Sequence, residues 1–180
     1  MLKIAIPATE QFDPVRGEFI ITPAQTLSLE HSLISISKWE SKWEKPFISK
    51  TPMTVEETID YIRCMTLTQN VNPLVYNGIT QEHLDQVAKY IDAKMTATTF
   101  SKFQNGKPSR EVITSELIYY WMVAYNIPFE CQKWHLNRLI TLIRVCGIKN
   151  TPPKKMNKRD AAAQRKSLNA QRRAKHHTRG

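Results

Sequence analysis

Two consecutive stretches between residues 111 and 146 have apolar side chains on almost every side of a helical wheel. The first is EVITSELIYYWMVAY and the second is ECQKWHLNRLITLIRVC. A helix that is apolar almost all round is normally buried, so the pattern predicts two core helices. The side chains expected to form the inward stripes are Ile113, Leu117, Tyr120, Trp121 and Ala124 in the first helix, and Leu136, Leu139, Ile140, Ile143 and Cys146 in the second.

The segment Asn126-Ile127-Pro128 separates these two helices. Proline cannot continue a helix, and the residue before it avoids the helical region of backbone conformation. Gly147 follows the second helix, where a glycine in the left-handed conformation commonly ends a helix. The sequence therefore predicts a helical hairpin that ends at Gly147 and forms the centre of one domain.

The N-terminal 30 residues show a different pattern, with short segments rich in Ile, Leu, Phe and Thr. These segments are residues 2–7, 18–22 and 26–30, and turn-forming Pro and Gly residues separate them. Such runs are typical of β-strands. A sheet of two or three strands is too small to be stable alone, so we expect one face of it to pack on the helices.

Four start signals predict further helices between the strands and the hairpin. Two are capping boxes, in which a Ser or Thr is followed three residues later by Glu. A third is an Asn before a Pro at the first helical position, and the fourth is a Thr that can cap the next helix. The expected N-caps are Ser37, Thr54, Asn72 and Thr80. Residues 93–108 are polar and contain Asn105-Gly106, so we expect a loop there.

The helix expected after Ser37 places Trp39 and Trp43 four residues apart, on one face. Tryptophan is enriched at protein interfaces, so the pair is a candidate partner-binding patch. The alternative is that both rings anchor the sheet to the core. The sequence leaves both interpretations open.

Charge divides the chain into two parts. Residues 1–150 have a net charge of +1, whereas residues 151–180 contain ten Lys or Arg and one acid, a net charge of +9. The second part begins with two prolines and two lysines, and Asn157 then precedes a run of good helix formers. Leu168 is the one large aliphatic residue of that run, so the helix has almost nothing to bury in a core of its own.

These patterns predict a mainly helical α+β domain over residues 1–150, with a small N-terminal β-sheet packed on a helical bundle centred on the hairpin. A basic helical tail follows at 151–180. The tail can bind an acidic protein surface, bind nucleic-acid phosphates, or keep the protein in solution. It lacks aromatic residues that would stack on single-stranded bases. Its candidate contact residues are Lys154, Lys155, Lys158, Arg159, Arg165, Lys166, Arg172, Arg173, Lys175 and Arg179.

No residue pattern points to catalysis, and we expect neither catalytic residues nor a cofactor. The five glycines lie far apart, which excludes a phosphate-binding loop and a dinucleotide fingerprint. Cys131 and His135 have the spacing to share a metal, but zinc needs three or four ligands. We therefore expect a packed thiol, a hydrogen-bonded histidine and no metal.

Hydrophobic runs and cysteines bear on the compartment. No run approaches the roughly 20 apolar residues of a membrane span. The N-terminus also lacks the order of a signal peptide. The three cysteines lie in apolar helical segments, which favours a reduced, intracellular protein.

Four segments resemble a family of small structural and assembly proteins of tailed bacteriophages, often described as tail assembly chaperones. The resemblance covers nearly the whole chain, and the Trp-rich segment and the hairpin are its most specific parts. The segments are SLEHSLISISKWESKWEKPF (28–47), ETIDYIRCMT (57–66), EVITSELIYYWMVAYNIPFECQKWHLNRLITLIRVC (111–146) and PPKKMNKRDAAAQRKSLNAQRR (152–173).

The resemblance implies a role in phage morphogenesis through protein–protein binding, in the host cytoplasm during assembly. A tail assembly chaperone covers the aggregation-prone tape measure protein and helps to recruit tail-tube subunits. The alternative is a structural virion protein of the capsid, connector or tail, whose basic tail contacts DNA or an acidic neighbouring subunit. Neither role implies an enzyme, and either permits an oligomer.

Overall fold

The computed structural model describes residues 1–13, 17–49, 51–100, 111–151 and 158–176. The chain divides into two compact units, residues 1–148 and 149–180. The predicted linker at 152–157, which includes Asn157, lies outside the described residues, as does the Asn105-Gly106 turn. Residues 93–100 have no regular secondary structure, as expected for that part of the loop.

Helices make up most of the regular structure in the described residues, and short strands occupy the N-terminus, so the predicted mainly helical α+β class is confirmed. In chain order, the described elements are β1 (Leu2–Ile6), β2 (Thr9–Asp13), β3 (Glu18–Thr22), β4 (Gln25–Leu29), α1 (Leu33–Trp43), α2 (Val55–Met65), a 3-10 helix (Pro73–Gly78), α3 (Gln81–Ile91), α4 (Ser115–Ala124), a 3-10 helix (Phe129–Lys133), α5 (Leu136–Asn150) and α6 (Lys158–His176).

The strands form two antiparallel ladders, each of two strands. β1 pairs with β4, from Leu2 opposite Leu29 to Ile6 opposite Gln25. One face of this ladder is buried, because alternate side chains point to the same side of a strand. β2 pairs with β3. The sequence did not predict β2, whose residues TEQFD are mostly polar and contain one aromatic residue.

Helix α1 begins at Leu33, five residues earlier than the Ser37 box predicts. The N-cap is Ser32, whose hydroxyl oxygen accepts from the Ser35 N–H at 3.3 Å, while the Ser35 hydroxyl oxygen accepts from the Ser32 N–H at 3.0 Å. A serine thus takes the place of the usual glutamate. The other three N-caps, at Thr54, Asn72 and Thr80, lie where they are predicted.

The core of the first unit combines the β1–β4 ladder with side chains from helices α1 to α5. Helix α1 lies at its centre and packs on α2 and α4. The fully buried large side chains are Trp39, Tyr61, Ile4, Ile6, Leu27, Leu29, Leu33, Ile36, Ile62, Met65, Ile118 and Met122. Leu139 and Ile143 of α5 are buried as predicted.

The inward face of α4 differs from the predicted stripe. Ile118 and Met122 are fully buried, whereas Leu117 and Trp121 are half-buried and Tyr120 is 65% exposed. Periodicity locates a helix face only when the other faces are polar. α4 is apolar almost all round, so its sequence did not distinguish the inner face from the outer one.

Gly147 does not end a helix, because α5 continues to Asn150. A Cβ atom placed on Gly147 would lie 3.1 Å from the hydroxyl oxygen of Tyr125. The predicted C-cap is therefore wrong. The glycine instead allows α5 to approach the residue that follows α4.

Candidate binding surfaces

Trp39 lies in the core and does not form a partner-binding surface. It is 2% exposed, and its indole N–H donates to the carbonyl oxygen of Glu57 in α2 at 2.9 Å. Its ring packs edge-on against Phe47, with the centroids 5.4 Å apart. The partner-binding assignment of Trp39 is therefore wrong, because α2 and the segment after α1 already cover the ring. The alternative interpretation, an anchor within the core, describes it.

Trp43 lies at the edge of the core, half-buried, and its ring stacks 6.2 Å from that of Trp39. Its indole N–H donates to Asp60 at 2.9 Å, and Lys42 donates to the other carboxylate oxygen. Burial raises the pKa of Asp60, but the donors Lys42 and Trp43 outweigh it and leave the pKa below its usual range. Trp43 thus has both a structural partner and an accessible edge.

A shallow surface cavity of about 460 Å³ lies beside Trp43. Its walls include the charged side chains of Lys42, Glu56, Asp60 and Arg63. Charges of both signs alternate around it, which does not favour one class of ligand. The cavity is open to solvent, unlike the enclosed apolar pockets that bind small molecules.

The outward face of α4 is an exposed apolar surface. It consists of Tyr120, Val123 and Ala124, which share one side of the helix, and Tyr120 and Val123 are 65% and 59% exposed. Glu116, one turn before Tyr120, is also exposed and adds a charge at its edge. The sequence did not reveal this surface, because its pattern predicts that Tyr120 and Ala124 belong to the inward stripe.

A second apolar surface lies on the hairpin formed by β2 and β3. Phe12, Phe19 and Ile21 are 56%, 63% and 70% exposed, and the two phenylalanine rings lie 5.1 Å apart. Phe12 and Phe19 are opposite each other in the ladder, where cross-strand aromatic pairs stabilise a hairpin. This surface was not predicted from the sequence, because Phe12 lies on β2, which was not predicted to be a strand.

The basic residues of the tail fall on α6, within the second unit. All side chains described in this helix, those of residues 162–176, are exposed, including Leu168 at 46%. This range includes the predicted contact residues Arg165, Lys166, Arg172, Arg173 and Lys175. Lys158 and Arg159 lie in the first turn of α6, and the structure does not describe their side chains. Lys154, Lys155 and Arg179 lie outside the described residues.

Cys131 and His135 do not belong to a metal centre in the part of the chain that the structure describes. Within it, no three His, Cys, Asp or Glu side chains are grouped as metal ligands. The Nε2 atom of His135 lies 3.0 Å from the carbonyl oxygen of Tyr90, and its Nδ1 atom accepts from the Asn137 N–H at 3.3 Å. His135 is hydrogen-bonded, as expected. Cys131, Cys64 and Cys146 are free thiols.

A buried hydrogen-bond network surrounds His31, which the sequence analysis did not identify. The side chain is 2% exposed, and its Nδ1 atom lies 2.6 Å from the hydroxyl oxygen of Tyr61. Tyr61 also lies 3.2 Å from the Ser35 hydroxyl, and the His135 ring is 5.0 Å away, edge-on. Burial, together with His135, lowers the pKa of His31 to about 3. The neutral imidazole is therefore the form that this site stabilises.

We predict that the first unit loses stability as the pH is lowered below about 6.5, because of His31. Its pKa is 6.5 in the unfolded chain and about 3 in the folded one, so between these values the unfolded state binds a proton that the folded state does not. The contribution of neutral His31 to the free energy of unfolding is fully present above pH 6.5. It declines as the pH is lowered toward 3, by at most about 1.4 kcal/mol per pH unit. Urea denaturation of the full chain between pH 7 and pH 5 measures the slope.

The His31→Gln variant is the control for this pH dependence, because it removes the titrating group while retaining a polar side chain. Its stability should vary less between pH 6.5 and 5, where most carboxylates remain ionised. Equal slopes for wild type and His31→Gln would contradict the assignment.

No protein-family model, curated protein or solved structure matches the chain. Among the described residues, no helix is long and apolar enough to cross a membrane.

Proposed function

We propose that this chain is a morphogenesis protein of a tailed bacteriophage that acts by protein–protein binding, as a tail assembly chaperone for tape measure and tail-tube proteins. The phage context rests on the resemblance of the Trp-rich segment, the α4–α5 region and the basic tail to that family. The binding mode rests on the exposed surfaces of the first unit. In this proposal the protein makes and breaks no covalent bonds.

The observation that carries the proposal is the apolar outward face of α4. Helices that are apolar almost all round are normally covered on every side, yet Tyr120 and Val123 are mostly exposed. Exposed apolar side chains grouped on one face are typical of interaction sites. A chaperone for an aggregation-prone partner needs such a surface, because it must cover apolar segments of that partner until they assemble. The β2–β3 hairpin gives a second apolar surface for the same purpose.

The double substitution Tyr120→Ser and Val123→Ser tests the proposal. We expect it to reduce the recovery of tape measure or tail-tube protein in a pull-down from infected cells by at least about tenfold, which corresponds to about 1.4 kcal/mol of binding energy. Both side chains are exposed, so we expect a small effect on stability compared with a core substitution. Thermal unfolding of the purified variant checks that it is folded.

A matched control uses two apolar residues of similar exposure elsewhere in the unit. Leu67 and Met95 are 58% and 43% exposed, and Leu67→Ser with Met95→Ser removes a similar apolar area. The control should recover the partners at the wild-type level. Equal recovery by both double variants would show that the α4 face does not bind these partners.

The second candidate function is a structural virion protein. The observation that favours it is α6, which is basic and exposed at every described side chain and therefore suited to a permanent contact with DNA or with an acidic neighbouring subunit. Mass spectrometry of purified phage particles separates the candidates. A chaperone should be missing from finished particles, whereas a stoichiometric amount would exclude the chaperone role and favour the structural one.

A further inference from the structure

We propose that α6 is a binding helix for double-stranded DNA, which it contacts through one cationic face. This inference concerns the second unit, and it develops the DNA contact of the second candidate function by committing it to duplex DNA and to one face of α6. It does not depend on whether the first unit acts as a chaperone.

Four of the five Arg and Lys residues between 162 and 176 lie on one side of α6, and the fifth, Lys175, lies off that side. Arg165 and Arg172 are seven residues apart, as are Lys166 and Arg173, and this spacing brings each pair to the same face after two turns. Asn169 lies between them on that face, and His176 extends it by a further turn. We call these six residues the cationic face of α6.

The opposite side of α6 is mostly small and neutral. It includes Ala163, Ser167, Ala170, Gln171 and Ala174, with Lys175 at its edge, and all of them are exposed. No residue from 162 to 176 is acidic. The charge is therefore concentrated on one side and has no compensating carboxylate within this range. An opposed polyanion is the ligand that such a face complements.

The chemistry of this face favours nucleic acid over an acidic protein surface. Protein interfaces usually contain an apolar or aromatic core, and the large aliphatic residue of α6 is Leu168, which lies beside the cationic face. The cationic face instead combines Arg, Lys and Asn. Arg and Lys pair with phosphates and guanines, and Asn pairs with adenines.

The absence of aromatic residues between 162 and 176 favours a duplex over a single strand. Proteins that bind single strands stack the bases on aromatic rings. The major groove of B-form DNA admits an α-helix, whereas the major groove of A-form RNA is too narrow for side-chain readout. The cationic face extends about 17 Å at 1.5 Å per residue. Over that length B-form DNA presents roughly ten phosphates, enough for all four Arg and Lys residues.

The test measures binding of the full chain to a fluorescent 24-base-pair DNA duplex at several salt concentrations. The variant replaces Arg165, Lys166, Arg172 and Arg173 with Gln, which is also a good helix former. Each neutralised phosphate contributes about −0.9 to the slope of log affinity against log salt. We expect the slope of the variant to be less negative by about 3.6, and its affinity at about 50 mM salt to be at least about 100-fold weaker.

The matched control removes the same charge from the first unit. Lys3, Lys89, Lys94 and Lys133 are exposed there, and their replacement by Gln also lowers the net charge by four. We expect the control to keep nearly the wild-type slope. Equal losses in the two variants would overturn the proposal, because binding would then depend on net charge alone. The proposal is also overturned if the wild-type chain does not bind the duplex at about 50 mM salt.

Two further measurements test the helix and the class of ligand. Ala170→Pro breaks α6 without changing its charge, and we expect it to weaken duplex binding by at least about tenfold because the face is no longer aligned. An unchanged affinity would overturn the role of the helix. Polyglutamate should compete less well than duplex DNA at equal charge. If it competes equally, α6 is a ligand for acidic protein surfaces, and the DNA assignment is wrong.

Discussion

Replacing Glu40 with alanine is expected to lower the free energy of unfolding of the first unit by about 3 to 5 kcal/mol. The carboxylate is 8% exposed and joins three segments of the fold. One oxygen accepts from the backbone N–H of Phe47 and the other from that of Ser115, each at 2.7 Å. Ser115 is the first residue of α4, where the partial positive charge of the helix dipole also favours an anion. Alanine would leave both donors buried without their acceptor.

Two further variants separate the charge from the contacts. Glu40→Gln retains one acceptor oxygen but turns an N–H donor toward a backbone donor, so we expect an intermediate loss. Glu82→Ala, at an exposed position in the first turn of α3, should cost less than about 1 kcal/mol. Urea denaturation followed by circular dichroism measures all three. A loss below about 1 kcal/mol for Glu40→Ala would show that solvent replaces the carboxylate.

Trp39→Ala should destabilise the unit by about 3 to 5 kcal/mol, because it leaves a cavity in the core and removes a hydrogen-bond donor. The lost contacts include the ring of Phe47 and the carbonyl oxygen of Glu57, which α2 presents to the indole. Trp43→Ala should cost less, since that ring is only half-buried. Equilibrium unfolding of both variants gives the comparison.

Trp39→Phe is the matched variant, because it retains an aromatic ring but removes the indole N–H. We expect it to cost less than Trp39→Ala while still leaving the Glu57 carbonyl oxygen without this donor. A weakened partner interaction in the pull-down, with stability unchanged by Trp39→Ala, would refute the core role and restore the interface interpretation.

The sequence predicted most of the described helix starts between residues 50 and 85, because local capping signals determine where a helix begins. Thr54 and Glu57 form the predicted capping box, and Asn72 caps the 3-10 helix with its side chain. The α1 start was misplaced because Ser37 and Glu40 imitate the same signal inside a helix, where Glu40 instead binds backbone donors far along the chain. Tertiary contacts of this kind leave no local pattern.

The binding surfaces were harder to predict than the elements. Trp39 and Trp43 share a helix face, yet one ring is buried and the other half-buried, which depends on how the segment ending at Phe47 folds back over them. The exposed face of α4 could not be predicted from the sequence, because its residues are as apolar as those of the buried face. The exposure of the side chains of α6 was predictable, since its composition offers almost nothing to bury.

The contact between the start of α1 and the start of α5 joins residues that are a hundred positions apart. Ser32 and His135 form a β-bridge, and the backbone N–H of Leu136 donates to the carbonyl oxygen of His31 at 2.7 Å. A ribosome adds about 5 to 20 residues per second, so the N-terminal segment waits roughly 5 to 20 s for these partners to be synthesised. During translation, the apolar faces of β1, β4 and α1 therefore emerge well before the segment that completes their burial.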